Sequence, residues 1–359
     1  MFNPDQSVFI IAEAGVNHNG SVSLARDLVD VAVASGAAAV KFQTFDPAAI
    51  TTQSAPKADY QKKNTGSVES QREMLNRLVL EKTTYRELKR YAEKSGLHFL
   101  STAFDSKSLH FLSEDLDLKI LKIASGEITN GPLLLDFALT NAQLILSTGM
   151  SAEQEVRDAL AVLAFGYVGE GLPTPSSFSA AMDSDEGQTA LREQVTLLHC
   201  TTQYPAPYDG VNLRAINTLK EEFQVRVGYS DHTLGTVVAP SAVASGARVI
   251  EKHITLDKTL DGPDHLASLE PNEFKEMVEA IRLVESALGD GRKMPHPCEI
   301  ENRAVARKSL VATRDISRGS ELQASDLTAK RARFGISPME FWSLLGTQAK
   351  KDFEFDEPL

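Results

Sequence analysis

Several features are scarce in this sequence, and each scarcity excludes a class of protein. Only two cysteines occur in 359 residues, Cys200 and Cys298, which is too few for a disulfide framework and lacks zinc-type spacing. No run of about 18 or more apolar residues is present and no signal segment begins the chain, so nothing predicts a membrane protein. Basic residues are outnumbered, 37 Lys and Arg against 49 Asp and Glu, which argues against a nucleic-acid partner. We expect a cytoplasmic protein that holds any anionic ligand with a local cluster of cations.

Short apolar runs recur at regular intervals and predict strands. They lie at 8–12, 38–43, 99–104, 119–124, 144–148, 195–200, 225–230 and 248–254. Continuous rather than alternating apolar runs are typical of strands covered on both faces, as in parallel sheets. Helical patterns separate them, for example at 23–36 and 83–96, and VASGAAAVK at 33–41 is echoed by VASGARVIE at 243–251. We predict an α/β protein with a (β/α)8 TIM barrel over residues 1–290.

Two segments depart from this rhythm. The stretch 165–187 is rich in Gly, Pro and Ser, and we interpret it as a surface insertion. Residues 291–303 show little periodicity and predict a linker. After them, short β-like runs separated by turn signals predict a second, small β-rich domain over 304–359.

Polar side chains follow the predicted strands at their carboxyl ends, where barrels of this class build active sites. One set consists of groups that bind an oxyanion such as phosphate: Lys41, Thr102, Lys122, Ser125 and Ser147. Buried lysines are costly unless they meet an anion. The set predicts a phosphate-type ligand, and the alternative is that the lysines form ion pairs with Glu13 or Glu127.

Two histidines form a second set. His232 and His253 end consecutive predicted strands, so their imidazoles can reach a common point in the mouth of the barrel. Two imidazoles with oxygen donors suit a divalent metal such as Mn2+ or Mg2+. The roles of His199 and His18 stay open, the first as a group that orients a ligand and the second as an anchor of the first loop.

A series of motifs runs through the chain in a fixed order. They are AEAGVNHNG (12–20), VKFQTF (40–45), STAFD (101–105), KIASGEITN (122–130), LSTGM (146–150), LLHCTTQYPAPYDGVNL (197–213), GYSDHTLG (228–235), EKHITLDKTLDGPDHLASLEP (251–271) and RKSLVATRDISRG (307–319). Together they resemble the sialic acid synthases and their relatives for legionaminic and pseudaminic acids, nearly end to end. The last motif resembles the antifreeze-like (SAF) module of that family.

The resemblance implies an N-acetylneuraminate synthase, which condenses phosphoenolpyruvate with N-acetylmannosamine to a nine-carbon 2-keto acid and releases phosphate. It implies that phosphoenolpyruvate is held by the oxyanion set, and a divalent metal by His232 and His253. The sugar would contact Glu13, Gln43, Asn64, Tyr204, Asp264 and Arg331. Lys41 and Lys122 would be catalytic, and Glu13 or Glu127 would move protons.

The resemblance also implies a homodimer whose C-terminal modules are swapped, so that Arg331 reaches the partner's barrel. The family has Pro-Gly after this arginine, whereas this sequence has Ala332 and Arg333. Arg333 is therefore a competitor for the role of Arg331.

Two alternative functions and a further choice of sugar stay open. The first is a legionaminic acid synthase that uses 2,4-diacetamido-2,4,6-trideoxymannose, because ADYQKKN (58–64) and GISPMEFW (335–342) resemble that branch too. A phosphorylated sugar, as used by the animal relatives, also stays open. The second is a non-catalytic binding protein, since a free-standing antifreeze-like module binds ice, but such a face needs neither lysines nor paired histidines.

Overall fold

The eight apolar runs form the strands of a closed parallel barrel, which confirms the predicted fold class. In the computed structural model, which describes residues 7–65 and 69–359, the strands are β1 (Phe9–Gly15), β2 (Ala39–Thr44), β3 (His98–Ala103), β4 (Ile120–Ile123), β5 (Gln143–Ser147), β6 (Val195–Cys200), β7 (Arg226–Asp231) and β8 (Val249–His253). Each strand pairs in parallel with the next, and β1 also pairs with β8, which closes the barrel.

Helices connect the strands. The α-helices of this unit are Val22–Ala34, Pro47–Ile50, Asp59–Thr65, Gln71–Asn76, Lys82–Lys94, Ser106–His110, Gly131–Leu139, Glu153–Val168, Pro175–Asp183, Asp185–Gln194, Ala215–Phe223, Val238–Ala244 and Pro271–Leu288. The first begins after Ser21, whose side chain accepts a hydrogen bond from Leu24 N, and buries Leu28 and Val29 one turn further on. The last begins on Pro271 and ends at Gly289.

Side chains inside the barrel lie in layers, because strand residues alternate between the two faces of a sheet. The lower layer, here called the apolar floor, consists of Phe9, Ile11, Ala39, Leu100, Ile120, Ile145, Leu198 and Val249. Two positions after a floor residue, the same strands carry Glu13, Lys41, Thr102, Lys122, Ser147, Cys200 and Glu251. The barrel therefore presents polar groups above an apolar base, at the carboxyl ends of its strands.

The opposite face of the strands packs against the helices. Ile10, Val40 and Leu121 belong to the large hydrophobic core between the strands and the surrounding helices. One charged pair also lies on this face: Lys252 Nζ is 2.9 Å from Asp231 Oδ2, and both side chains are fully buried. We call Lys252 and Asp231 the outer pair.

The segment 165–187, interpreted as a surface insertion, is exposed over 168–176 and contains helical residues that its composition did not predict. Helix Pro175–Asp183 begins after Thr174, and helix Asp185–Gln194 begins after Ser184. Ala181, Met182 and Leu191 of these helices are buried in the main core. Ser, Thr and Pro are helix-capping residues as well as loop residues, so their abundance conceals two short helices.

A second unit begins at Asp290. The predicted linker 291–303 is exposed throughout, and helix Ile300–Ala306 begins within it. Strands β9 (Lys308–Ala312) and β10 (Leu327–Arg331) pair antiparallel, and a short helix spans Phe341–Leu344. Ala312, Ile316, Leu322, Leu327, Ala349 and Phe353 form the core of this unit.

None of the helices in the described ranges combines the length and apolar character that a membrane crossing needs.

Candidate active site

A cavity of about 390 Å³ lies at the carboxyl ends of the barrel strands. Most of the site residues predicted from the sequence line it: Glu13, Lys41, Gln43, Thr102, Lys122, Ser125, Glu127, Ser147, Tyr204, Asp264, His232 and His253. They come from strands far apart in the sequence and meet because the barrel closes. This is where parallel (β/α)8 barrels place their active sites.

The base of the cavity is a cluster of two lysines and two carboxylates, Glu13, Lys41, Lys122 and Glu251, which we call the charged layer. Lys41 Nζ lies 2.6 Å from Glu13 Oε2 and 3.5 Å from Glu251 Oε2. It also donates to Thr102 Oγ1 at 2.9 Å. The alternative use of Lys41, an ion pair with Glu13, is therefore present in the structure.

Lys122 has weaker charge compensation than Lys41. Its Nζ donates to Ser147 Oγ at 2.6 Å and to the carbonyl oxygen of Ile123 at 3.1 Å. Its carboxylate neighbour, Glu251 Oε1, lies 4.0 Å away, and that oxygen already accepts a hydrogen bond from Ser230. Lys122 is therefore the lysine better placed to receive an anion.

Burial and neighbouring charges give the two carboxyls opposite pKa shifts. Burial raises the pKa of Glu13 to about 7, although Lys41 acts against it. Burial would also raise the pKa of Glu251, but Lys122 and Lys41 hold it at about 2. Burial lowers the pKa of Lys122. Because Glu13 is partly protonated near neutral pH, the charged layer holds less negative charge than two ionised carboxyls would, and a bound phosphate or carboxylate would add to it.

Glu251 is a site residue to which the sequence assigned no role. The residue is 4% exposed, and its side chain faces lysines from β2 and β4. The available signal was the alternation of Val249, Glu251 and His253 along β8, which places all three inside the barrel.

The contacts of Ser125, which lines the cavity, require a glycine at position 149. Gly149 N donates to Ser125 Oγ at 3.0 Å, and Cys200 Sγ lies 3.3 Å from the same oxygen. A Cβ at position 149 would lie 2.2 Å from Thr202 Oγ1 and 2.8 Å from Ser125 Oγ. Only glycine allows this close approach of hydroxyl and backbone N–H groups, which are donors that suit an oxyanion.

His232 and His253 lie side by side, with ring centroids 5.8 Å apart. His232 Nδ1 is 2.7 Å from the carbonyl oxygen of Thr201, so Nδ1 carries the proton and Nε2 offers a lone pair. His253 Nδ1 is buried without a hydrogen-bond partner. Burial lowers the pKa of His232 to about 4 and that of His253 well below its usual range. Both imidazoles are therefore neutral, the form that binds metals.

These features fit a divalent metal held by two histidines. Across residues 7–65 and 69–359, no three His, Cys, Asp or Glu side chains converge as a ready-made metal site. An ion bound to His232 and His253 would take its other ligands from water and substrate. Positions open for substrate are what catalytic metal sites require.

The predicted sugar contacts surround this point. Gln43 Nε2 donates to Glu13 Oε1 at 3.2 Å, and the Tyr204 ring lies 4.2 Å from that of His232. Burial raises the pKa of Asp264 to about 6. Glu127 lies at the rim and accepts a hydrogen bond from Asn130.

Two predicted site residues lie elsewhere. Asn64 does not line the cavity, and its amide donates to the carbonyl oxygen of Pro263 at 2.7 Å. Arg331 ends β10 of the second unit, where it is exposed, as is Arg333.

His18 and His199, whose roles the sequence left undecided, both make local contacts. His18 Nδ1 accepts from Gly20 N, as expected of an anchor of the first loop, while His199 Nε2 lies 2.6 Å from the carbonyl oxygen of Val211.

Comparison with known proteins gives consistent matches. The NeuB family pattern matches residues 28–293, and the SAF domain pattern matches residues 307–359. An N,N'-diacetyllegionaminic acid synthase from Campylobacter jejuni is 46% identical over 98% of each chain. One of the same name from Legionella pneumophila is 45% identical over 95% of this chain and 90% of its own. A crystal structure of a sialic acid synthetase from Leptospira borgpetersenii, 32% identical, superposes with a TM-score of 0.66 over 82% of this chain and 91% of its own.

Proposed function

Because the chain belongs to the NeuB family, it is an enzyme of nonulosonic acid synthesis, and we propose that it condenses phosphoenolpyruvate with 2,4-diacetamido-2,4,6-trideoxymannose. The products would be the nine-carbon 2-keto acid N,N'-diacetyllegionaminic acid and phosphate. The observation that supports this chemistry best is the charged layer, in which two buried lysines, Lys122 the less compensated of them, lie beside two neutral imidazoles.

The lysines suit the two anionic groups of phosphoenolpyruvate. Lys41 and Lys122 lie on β2 and β4, with Glu251 between their charged ends. Thr102 and Ser147, each already a hydrogen-bond partner of one lysine, add hydroxyls at the same level. Phosphoenolpyruvate bound here would have its phosphate and carboxylate fixed, so that its terminal carbon faces the open mouth.

Carbon–carbon bond formation then follows from position. The enol carbon attacks the aldehyde carbon of the open-chain sugar, and water adds to the cationic carbon that results. The tetrahedral intermediate expels phosphate by C–O cleavage and leaves the ketone. The aldehyde oxygen gains one proton and the attacking water loses two in total, of which one leaves with phosphate. Glu13 lies beside Gln43 and Lys41. Its carboxyl is placed to accept a proton from the attacking water and to donate one to the aldehyde oxygen.

A metal would act on the sugar side of the site. When His232 and His253 hold a divalent ion such as Mn2+ or Mg2+, the chemistry supplied is Lewis-acid polarisation of a carbonyl oxygen. Tyr204 packs against both imidazoles, at ring-centroid distances of 4.2 and 5.7 Å, and keeps them in place.

The choice of sugar is supported by the relatives. The proteins at 46% and 45% identity are named for legionaminic acid, whereas the structure at 32% identity is named for sialic acid. N-acetylmannosamine, which the sequence put first, is the second candidate because the charged layer and the histidines serve either sugar.

Phosphate release from phosphoenolpyruvate with Mn2+ tests this proposal, in parallel reactions with the diacetamido sugar, N-acetylmannosamine and N-acetylmannosamine 6-phosphate. We expect release with the diacetamido sugar and none without sugar. Preference for N-acetylmannosamine would make the enzyme a sialic acid synthase. Absence of release with every sugar would contradict the proposal and favour a binding role.

The homodimer, the cytoplasmic location and the contact of Arg331 with the partner's sugar stay predictions. We expect Arg331→Ala to lower kcat/KM for the sugar about tenfold, the usual loss for one charged contact, and Arg333→Ala to have less than about threefold effect. The reverse order would assign the role to Arg333.

Sedimentation of the native chain measures whether it is a dimer.

A further inference from the structure

Two unlike sets of side chains line the cavity. One is the charged layer with the histidines, and the other is a cluster of apolar side chains: Phe45, Ile50, Met74, Leu75, Leu78 and Phe104. We call these six residues the apolar wall. They come from the segment that follows β2, including helices Pro47–Ile50 and Gln71–Asn76, and from the residue after β3. No part of the reaction at the charged layer uses them.

The apolar wall is a packed structure rather than a chance exposure. Phe45, Met74 and Leu78 are buried together in a small core of their own, and the rings of Phe45 and Phe104 meet edge to face with centroids 6.1 Å apart. Ile50 and Leu75 pack against this core and keep part of their surface open.

Hydrogen bonds hold the helices of the wall in position. A capping box between Ser70 and Glu73 starts helix Gln71–Asn76, and Asp46 caps Pro47–Ile50. Apolar surface held open to water in a preformed cavity is a cost that a ligand with apolar groups would remove. The wall therefore indicates that part of the substrate is apolar.

The chemistry decides which part of the sugar reaches the wall. The aldehyde carbon must meet the enol carbon of phosphoenolpyruvate, whose charged groups the lysines hold, so C1 lies at the polar end. The other end of the sugar chain, C4 to C6, then extends away from the charged layer. N-acetylmannosamine carries hydroxyls at C4 and C6, whereas the diacetamido sugar carries an acetamido group at C4 and a methyl at C6.

We propose that the apolar wall is the specificity subsite for the C4 to C6 end of the sugar, and that it selects a 6-deoxy sugar with an acylated amine at C4. This inference rests on the proposed function and deepens it. Methyl groups gain by covering Ile50 and Leu75, while hydroxyls placed there would lose their hydrogen bonds to water. Gln71 lines the same cavity and carries the amide that an acetamido group can pair with.

The test compares kcat/KM for the diacetamido sugar, N-acetylmannosamine and 2-acetamido-2,6-dideoxymannose in the wild type and in Leu75→Asn, a substitution that keeps the branched shape and the number of side-chain heavy atoms. We expect the wild type to prefer the diacetamido sugar and to use the dideoxy sugar better than N-acetylmannosamine. In Leu75→Asn, kcat/KM for the diacetamido sugar should fall about tenfold, while that for N-acetylmannosamine changes less than about twofold. Leu139→Asn is the matched control, because Leu139 is 60% exposed and away from this cavity.

The outcomes separate this inference from the function on which it rests. If none of the sugars tested leads to phosphate release, the proposed function itself is contradicted. Release that is equal or faster with N-acetylmannosamine would leave the synthase standing and overturn the subsite. An equal loss with all sugars in Leu75→Asn would also overturn it. If Leu75→Asn unfolds below the assay temperature, Ile50→Thr replaces it with the same expectation.

Discussion

The charged layer and the outer pair, both groups of buried lysines and carboxylates on the barrel strands, differ in how completely their charges are paired. In the outer pair, Lys252 contacts Asp231 at 2.9 Å and the carbonyl oxygen of Thr233 at 2.5 Å. The second carboxylate oxygen of Asp231 accepts from the N–H and the hydroxyl of Thr233. Both charges are thus satisfied by residues of the same two strand ends.

The charged layer has the same residue types in a different balance. Lys41 Nζ is shared between two carboxyls, at 2.6 Å from Glu13 Oε2 and 3.5 Å from Glu251 Oε2. Lys122 Nζ lies 4.0 Å from Glu251 Oε1. A buried ion pair with complete partners is a structural element, whereas one with incomplete partners costs stability that a ligand can recover. The comparison therefore separates a packing role from a binding role.

The largest effect should come from the histidines beside the charged layer. His232→Ala and His253→Ala should each lower metal-dependent phosphate release about a thousandfold or more, because the proposed metal would lose one of its two protein ligands. Phosphate release against Mn2+ concentration, with Mn2+ binding followed by its EPR signal, measures this. The exposed His110→Ala is the control. Near-normal activity in both variants would refute the metal assignment.

Removal of Lys41 tests whether the charged layer serves binding more than folding. Lys41→Met should lower kcat/KM for phosphoenolpyruvate about a hundredfold to a thousandfold. The fold should survive, since the pKa of Glu13 is already about 7 and its carboxyl can stay protonated without the lysine. Steady-state kinetics and thermal unfolding together check both parts. If Lys41→Met fails to fold, the charged layer has a structural role like that of the outer pair, which would contradict this prediction.

The outer pair should show the opposite behaviour. Lys252→Met should lower the free energy of unfolding by about 3–5 kcal/mol, because Asp231 is then a buried charge without its partner. Urea unfolding gives the value. The double variant Lys252→Met with Asp231→Asn keeps the acceptor for Thr233 and removes the charge, so it should recover at least half of the loss. No recovery would mean that packing of the lysine stem, not charge, holds this site together.

A smaller effect concerns Asp264, a cavity carboxyl whose pKa burial raises to about 6. The unfolded chain releases this proton near pH 4, so the folded state holds more protons between about pH 4 and 6 and stability falls as pH rises through that range. The total is at most about 3 kcal/mol. Asp264→Asn should therefore stabilise the protein at pH 8 and change little at pH 4. Equal effects at both pH values in urea unfolding would contradict the titration.

Much of the architecture was predictable because its signals are local. Continuous apolar runs marked all eight strands, and the structure shifts their ends by only a few residues. β1 shows the limit, since it runs on to Gly15 and thereby carries Glu13 inside the strand. Gly15 adopts a φ of +52°, and a Cβ there would approach Glu13, Gln43 and His253. Nothing in the adjacent residues signals that contact.

The mistakes come from ambiguous or distant information. The helices within 165–187 were hidden because capping residues and loop residues are the same types. Glu251 received no role because its partners, Lys41 and Lys122, lie far earlier in the chain. The apolar wall was missed for a related reason: Ile50 and Leu75 belong to short helices whose patterns do not reveal that they border the cavity.

The sequence by itself determined the number and order of the strands, the alternation that sets polar residues above the apolar floor, and the kinds of group at the barrel mouth. These follow from hydrophobic periodicity and from the two-residue repeat of a strand, which need no knowledge of distant neighbours. The tertiary structure decided which carboxylate meets which lysine, which imidazole nitrogen meets a backbone carbonyl, and which apolar segment borders the cavity. Those depend on burial and on contacts across the closed barrel, because the partners come from strands and helices far apart in the chain.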